Sequence, residues 1–117
     1  MPAPIIYAKK SCKDCQKALE YLENMGYQPE VRDIIMAPPT KDFLAQHILD
    51  EDDIIDYLNP RSPIFRERDL GDHPPTKAEA IRYMRVDPNL IRRPILIHRD
   101  HVVFGYDGER YDEVFGN

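Results

Sequence analysis

The pattern of apolar and polar positions predicts that the chain opens with a strand, a helix and a second strand. Residues 5–8 (IIYA) form a short apolar run that is typical of a buried strand. The next segment has helical spacing, with one apolar face made by Ala18, Leu19, Leu22 and Met25. Gly26 can end this helix, and the alternating residues 28–34 (QPEVRDI) predict the second strand. The two strands of such a β-α-β unit should be parallel.

The middle of the chain, from about residue 38 to residue 91, has mostly helical patterns interrupted by prolines. Helix N-caps are predicted where a hydroxyl residue precedes a helical run, at Thr40, Ser62 and Thr76. Glu79 follows Thr76 by three residues and completes a capping box. Residues 50–57 (DEDDIIDY) are predicted to form another short helix, with the acidic side chains near its N-terminal end.

The end of the chain returns to strands. Residues 94–97 (PILI) and 101–104 (HVVF) are β-prone and are separated by only three residues, which predicts an antiparallel hairpin. Gly108 precedes a last predicted helical stretch, which ends in Val114 and Phe115. The order βαβ, helices, ββα predicts an α/β fold with a thioredoxin-like mixed four-stranded sheet and a helical insertion between strands 2 and 3.

Length and charge limit the classes of function. A chain of 117 residues favours a single domain, residues 1–117, with the insertion at about 38–91. The net charge of −5 argues against direct binding to nucleic acid or to an anionic membrane surface. There is no apolar run of the ~20 residues that span a bilayer, and the first ten residues lack the apolar core of a signal peptide. The expected location is therefore the cytoplasm.

Both cysteines of the chain, Cys12 and Cys15, stand two residues apart where the first helix should begin. The N-terminus of a helix carries unpaired N–H groups and a partial positive charge, and both favour a thiolate at the first cysteine. Positive charge nearby comes from Lys9, Lys10 and Lys13, and Asp14 partly opposes it. The pattern therefore predicts that Cys12 is a nucleophile and that Cys15 is the thiol that resolves its mixed disulfide.

Two other interpretations of the cysteines remain open at this point. A structural zinc ion needs four ligands, and only His98 and His101 could complete the set. These histidines flank the predicted hairpin turn, where we expect them to be solvated, so a zinc site is disfavoured. The cysteines could also be inert core residues. In a reducing cytosol, a lone cysteine pair is more often catalytic, redox-sensing or metal-binding than a structural bridge. Of these uses we expect redox chemistry, with no metal and no organic cofactor.

Two further segments contain candidate site residues. Pro94 opens the third predicted strand, and the Arg93–Pro94 bond could be cis or trans. Arg61 lies in a proline-flanked loop before a helix cap, where it could bind an anion or a thiolate or could simply be exposed. The residue pattern alone does not decide between these alternatives.

The order of these segments resembles the Spx/arsenate reductase (ArsC) family, a thioredoxin-like group with a helical insertion. The resemblance rests on Cys12-x-x-Cys15, on Arg61-Ser62 before a helix and on Arg92-Arg93-Pro94, and it extends from Ile5 to Phe115. It implies that Pro94 is a cis proline facing the active cysteine. It also implies that Arg93 and Arg61 point toward that cysteine.

The resemblance implies a thiol-based redox protein in which Cys12 and Cys15 form a dithiol/disulfide pair. One branch of the family contains glutathione- or glutaredoxin-dependent arsenate reductases, which implies an oxyanion substrate. The other contains Spx-like redox-sensing transcriptional regulators, which implies the RNA polymerase α subunit as a partner. A thiol oxidoreductase of either kind would need a small thiol or a thioredoxin- or glutaredoxin-type protein as reductant. Cys15 favours the Spx branch, whereas residues 104–106 (FGY) replace the third arginine of the reductases.

Overall fold

The computed structural model describes residues 3–116, in which four strands and five α-helices follow one another in the predicted order. The strands are β1 (Ile5–Ala8), β2 (Glu30–Asp33), β3 (Ile95–His98) and β4 (His101–Phe104). The helices are α1 (Lys13–Asn24), α2 (Lys41–His47), α3 (Pro63–Glu67), α4 (Lys77–Val86) and α5 (Gly108–Val114). Two short 3-10 helices span Ile54–Tyr57 and Pro88–Leu90. None of the helices in this range is long and apolar enough to cross a membrane.

The sheet has the strand order β2-β1-β3-β4. Strand β1 pairs parallel to β2 and antiparallel to β3, and β3 pairs antiparallel to β4. The parallel pair is joined through α1, as a β-α-β unit requires, and the antiparallel pair is a tight hairpin. The predicted mixed four-stranded, thioredoxin-like sheet is confirmed.

The chain divides into two compact units. The first unit holds residues 3–33 and 93–116, with the whole sheet, α1 and α5. The second unit, Ile34–Arg92, holds α2, α3, α4 and both 3-10 helices. In the sequence, the all-helical second unit follows β2 and precedes β3, where the helical insertion is predicted. The unit is a few residues longer than the predicted insertion of about 38–91. The assignment of a single domain stays a prediction.

One face of the sheet and two helices build the core of the first unit. Alternate residues of a strand share a face, so the sheet contributes Ile6, Ala8, Leu96 and Val103. Helix α1 contributes Cys15, Ala18 and Leu22, and α5 contributes Tyr111. The structure confirms that Ala18 and Leu22 lie on the buried face of α1, as predicted. Met25, however, is the C-cap and is 37% exposed, whereas Cys15 is buried.

The second unit confirms the predicted helix caps. The side chain of Thr40 accepts a hydrogen bond from Phe43 N at the start of α2. Ser62 does the same for Phe65 N at the start of α3. Each cap satisfies a backbone donor that the first turn of a helix leaves without a partner.

The helix predicted over residues 50–57 is wrong in extent, because only the 3-10 helix Ile54–Tyr57 forms. Asp53 caps that short helix through a hydrogen bond from Ile55 N. The Tyr57 hydroxyl donates to the carboxylate of Asp52 and accepts from Leu49 N, so it holds the preceding acidic residues in a loop. Local side-chain hydrogen bonds of this kind compete with helix formation.

The capping box of α4 allows a test of local stability. Glu79 N donates to Thr76 Oγ1 at 3.2 Å, and Thr76 N donates to Glu79 Oε1 at 2.9 Å. Thr76→Ala should lower the free energy of unfolding by about 1 kcal/mol, because the cap acceptor is lost. Urea unfolding followed by circular dichroism measures the change. Thr76→Ser keeps the hydroxyl and should unfold like the wild type; an equal loss in both variants would contradict the role of the hydroxyl.

Candidate redox site

Cys12 caps the N-terminus of α1, directly after the turn that leaves β1. Its backbone is extended (φ −90°, ψ 119°), and its N–H donates to Lys9 O at 3.0 Å. Its sulfur accepts a hydrogen bond from Cys15 N at 3.2 Å. Cys12 Sγ is therefore the N-cap acceptor of the helix, a position where a backbone donor and the helix dipole stabilise negative charge. The side chain is half-buried, so a reagent can reach the sulfur.

Cys15 lies one turn further into α1 and is 1% exposed. Burial raises the pKa of the Cys15 thiol to about 12, and a hydrogen bond to Cys12 together with the charge of that residue adds to the rise. A backbone hydrogen bond from Lys9 and the positive charge of Arg93 act in the opposite direction. The two free thiols are thus unequal: Cys15 keeps its proton at neutral pH and directs it to the accessible sulfur of Cys12.

The Arg93–Pro94 segment reaches the same end of the sheet. Tyr7 pairs with Ile95 in the antiparallel register, so the next residues, Ala8 and Pro94, also lie opposite each other. The peptide bond between Arg93 and Pro94 is cis, which confirms the geometry implied by the family resemblance. The carbonyl of Pro94 accepts from Gly105 N at 2.7 Å. The structure therefore places Pro94 beside the end of β1, from which the cysteine turn departs.

The remaining candidate residues are Arg61, in the second unit, and the lysines next to Cys12, in the first. Arg61 belongs to the second unit, in the turn before α3, where its side chain is exposed and its backbone N–H donates to Asn59 Oδ1 at 3.1 Å. Its role at the site stays a prediction. Lys10 and Lys13 are exposed on either side of Cys12, and the carbonyl of Lys10 accepts from the Gln16 side chain at 3.1 Å. Asp14 is exposed as well, so side chains of both charges flank the cysteine turn.

The expectation of two solvated histidines is wrong for His98. His98 and His101 do pair across the hairpin turn, but only His101 is exposed. The His98 ring is 5% exposed and packs against Tyr27 and Phe115, with ring centroids 5.6 and 4.6 Å away. Over residues 3–116, no group of three or more His, Cys, Asp or Glu side chains is arranged to hold a metal ion.

Burial of His98 predicts a pH-dependent stability. Desolvation, followed by the nearby charges of Arg99 and His101, lowers the pKa of His98. The unfolded chain takes up a proton at about pH 6.5, while the folded chain does so only at lower pH. The free energy of unfolding should therefore fall as the pH decreases through about 6.5 toward the lowered pKa.

This effect is measured by the midpoints of urea unfolding, recorded from neutral pH down to about one pH unit below the ordinary histidine pKa. His98→Phe should lose part of the pH dependence seen in the wild type, because the titrating group is gone. The exposed His73 of the second unit gives a matched control, since His73→Gln should keep the wild-type slope. Equal slopes in all three proteins would contradict the prediction.

Sequence reasoning missed one residue next to the cysteine pair, Tyr111 of α5. It is completely buried and shares a core with Cys15. Tyr21 and Tyr106 contact its ring edge-to-face, with centroids 5.3 and 5.1 Å away. The helical spacing of Tyr111 with Val114 and Phe115 predicts a buried face but does not identify what that face covers.

The comparison with protein families agrees with this geometry. The sequence model of the ArsC family matches residues 7–114, which is nearly the whole chain.

The chain belongs to the ArsC family.

Among curated relatives of this ArsC-family chain are two global transcriptional regulators. Spx 1 of Oceanobacillus iheyensis is 28% identical over 104 residues, which cover 87% of this chain and 79% of the relative. Spx of Streptococcus pneumoniae is 30% identical over 104 residues, covering 87% and 77% of the two chains. An ArsC family related protein from Bacteroides fragilis superposes with a TM-score of 0.85 at 22% identity, over 97% of this chain and 99% of that one. The structural similarity supports the fold.

Proposed function

We propose that this ArsC-family chain is a thiol-based redox protein that cycles between a dithiol and a Cys12–Cys15 disulfide. The inequality of the two thiols carries the proposal. Cys12 is half-buried and accepts a helix N-terminal hydrogen bond, whereas Cys15 is buried, with a pKa raised to about 12. An accessible attacking thiolate beside a protonated, buried partner is the arrangement that thiol–disulfide exchange requires.

The reaction has two steps. The Cys12 thiolate attacks one sulfur of a disulfide R–S–S–R, forms a mixed disulfide and releases the first thiolate R–S⁻. Cys15 then loses its proton and attacks Cys12 Sγ, so that the Cys12–Cys15 bond forms and the second R–S⁻ leaves. The proton from Cys15 ends on a departing thiolate, and the other thiolate takes one from water. Two electrons pass from the cysteine pair to the substrate.

The first step prepares the second. Two of the influences that raise the pKa of Cys15 come from Cys12: their hydrogen bond and the charge of that residue. A mixed disulfide on Cys12 removes both, whereas the lowering influences of Lys9 and Arg93 remain. The resolving thiol is therefore easier to ionise once its target bond exists. Arg93 acts by stabilising that charge, Pro94 lies at the same end of the sheet, and Arg61 is a weaker candidate for anion binding.

Regeneration of the dithiol needs an external reductant. We propose a small thiol or a thioredoxin- or glutaredoxin-type protein for this step, in a reducing cytoplasm. The chemistry uses the two cysteine sulfurs alone, and neither a metal nor an organic cofactor takes part in the proposed steps.

A second candidate is a redox-responsive regulator, favoured by the similarity to Spx proteins along most of their length. In this case the Cys12–Cys15 disulfide would switch binding to the RNA polymerase α subunit. A third candidate from the same family, a glutathione- or glutaredoxin-dependent arsenate reductase, would use Cys12 to attack arsenate as the oxyanion substrate. All three share Cys12 as the reacting thiol, so one set of measurements can separate them.

The decisive experiment is a redox titration of the pair, read by mass spectrometry after the remaining thiols are alkylated. We expect one intramolecular disulfide that forms under mild oxidation and disappears in Cys15→Ser. The resolving role is wrong if the wild type instead collects stable adducts on Cys12.

Parallel samples distinguish the candidate functions. Turnover of arsenate with glutathione and glutaredoxin, lost in Cys12→Ser and retained in Cys15→Ser, would favour the reductase. Capture of purified RNA polymerase α subunit by one redox form, without turnover, would favour the regulator. Catalytic reduction of a model disulfide with neither property would favour a general thiol oxidoreductase.

A further inference from the structure

The hydroxyl of Tyr111 is an unusual feature of the core next to the cysteine pair. The side chain is completely buried, and its oxygen has no hydrogen-bond partner within residues 3–116. Buried polar side-chain atoms nearly always have a partner, because leaving one unsatisfied costs about 1–3 kcal/mol. Phe would fill the same space without that cost. The hydroxyl therefore suggests a role in a state other than the dithiol.

The surroundings of Tyr111 identify the group that could use this donor. Cys15 belongs to the same core cluster and is itself 1% exposed. In the dithiol state the Cys15 thiol directs its proton to Cys12 and needs no donor. After Cys12 is blocked in a mixed disulfide, Cys15 must carry a negative charge in a buried place. A buried anion is stable only if nearby donors compensate for the lost water.

The ring of Tyr111 is held in place, while its hydroxyl remains protonated. Tyr21 and Tyr106 pack edge-to-face on the ring, so the side chain has a fixed position. Burial, and after it the charge of Cys15, raises the pKa of Tyr111. At neutral pH the phenol is consequently a hydrogen-bond donor and not a competing base.

We propose that the Tyr111 hydroxyl donates a hydrogen bond to Cys15 Sγ when Cys15 ionises to resolve the mixed disulfide. This inference rests on the proposed dithiol–disulfide function. The donor takes no part in the first attack by Cys12, and it speeds the second step by stabilising the attacking thiolate as it forms. No atom or electron is transferred to or from Tyr111.

Stopped-flow kinetics with the chromogenic disulfide dithiobis(nitrobenzoate) separate the two steps. Each step releases one coloured thiolate, and the first rate depends on reagent concentration whereas the second does not. Tyr111→Phe should leave the first rate unchanged and slow the second by about 10-fold or more, the typical effect of a hydrogen bond to a charged group. The pH profile of the second step should also move to higher pH in this variant, because Cys15 ionises less readily.

Matched variants test whether the hydroxyl is responsible. Tyr106→Phe removes a phenol hydroxyl from a ring that packs on Tyr111 and should keep the wild-type second rate. Tyr111→Phe should be at least as stable as the wild type. A lower free energy of unfolding in this variant would therefore show that the slower second step comes from a damaged fold and not from the missing hydroxyl. The inference is overturned if the second rate is unchanged in Tyr111→Phe, or if Tyr106→Phe slows it equally. Absence of a second phase in the wild type would instead refute the dithiol–disulfide function itself.

Discussion

Cys12→Ser is expected to lose all measurable reaction with a low-molecular-weight disulfide, whereas Cys15→Ser is expected to react once and then stop. The sulfur of Cys12 is the accessible one and lies at the positive end of α1. The sulfur of Cys15 is buried, and its pKa of about 12 leaves almost no thiolate at neutral pH. A serine hydroxyl cannot replace either thiol, because only a thiolate exchanges with a disulfide.

Mass spectrometry after mixing each variant with oxidised glutathione measures this outcome. The wild type should lose two hydrogens and carry no adduct, since Cys15 expels the bound thiol. Cys15→Ser should hold one glutathione on Cys12, and Cys12→Ser should remain unmodified over the same time. Ser11→Ala is the matched control, because Ser11 is exposed and precedes Cys12, and it should behave like the wild type. An adduct on Cys15 in Cys12→Ser at the wild-type rate would reverse the assigned roles.

Leu22→Ala should lower the free energy of unfolding by about 2–5 kcal/mol, a larger loss than that expected for Thr76→Ala. Leu22 is completely buried on the face of α1 that also carries Cys15 and Ala18. Truncation removes apolar contacts and leaves a cavity between the helix and the sheet. The change should appear as an earlier midpoint in urea unfolding, with little change in slope.

Glu20→Ala is the control for Leu22→Ala, because Glu20 is an exposed residue of the same helix. It should change the free energy of unfolding by no more than about 0.5 kcal/mol, as is usual for surface positions. A loss below about 1 kcal/mol in Leu22→Ala would show that α1 does not contribute the expected core. The same samples should retain disulfide formation below the unfolding midpoint, since Leu22 lies about two helical turns beyond Cys15 in α1.

Local interactions explain why much of the fold is predictable from the sequence. Strand pairing follows from short apolar runs separated by a hairpin-length turn, and the N-caps follow from hydroxyl residues that bond the backbone three residues ahead. The contact between Cys12 and Cys15 is predictable for the same reason, because the two residues lie within one helical turn. The cis geometry of Arg93–Pro94 came from the family resemblance, since the residues alone left it open.

Contacts between residues far apart in the sequence explain where the sequence-based predictions were wrong or incomplete. The sequence around His98 indicates a turn, and it is the packing of Tyr27 and Phe115 that buries the ring. Tyr111 reaches the core around Cys15 from the opposite end of the sequence, so spacing cannot reveal their proximity. The helix predicted over residues 50–57 was too long for a different reason. The hydrogen bond between the Tyr57 hydroxyl and Asp52 holds the acidic residues before Tyr57 in a loop.

The position of β1 in the sheet has a consequence for the protein during its synthesis. Ile5 pairs with Ile97, so the β1–β3 ladder cannot form until the ribosome has released the whole second unit and the strand after it. Closing so long a loop is also entropically unfavourable and slows folding. On the nascent chain, Cys15 is therefore without the strands and the helix that later cover it. During this interval the burial that raises the pKa of Cys15 is incomplete, because Leu96, Val103 and Tyr111 have not yet packed on it. Part of the chemical distinction between the two cysteines therefore arises only when the last strands and the last helix are in place.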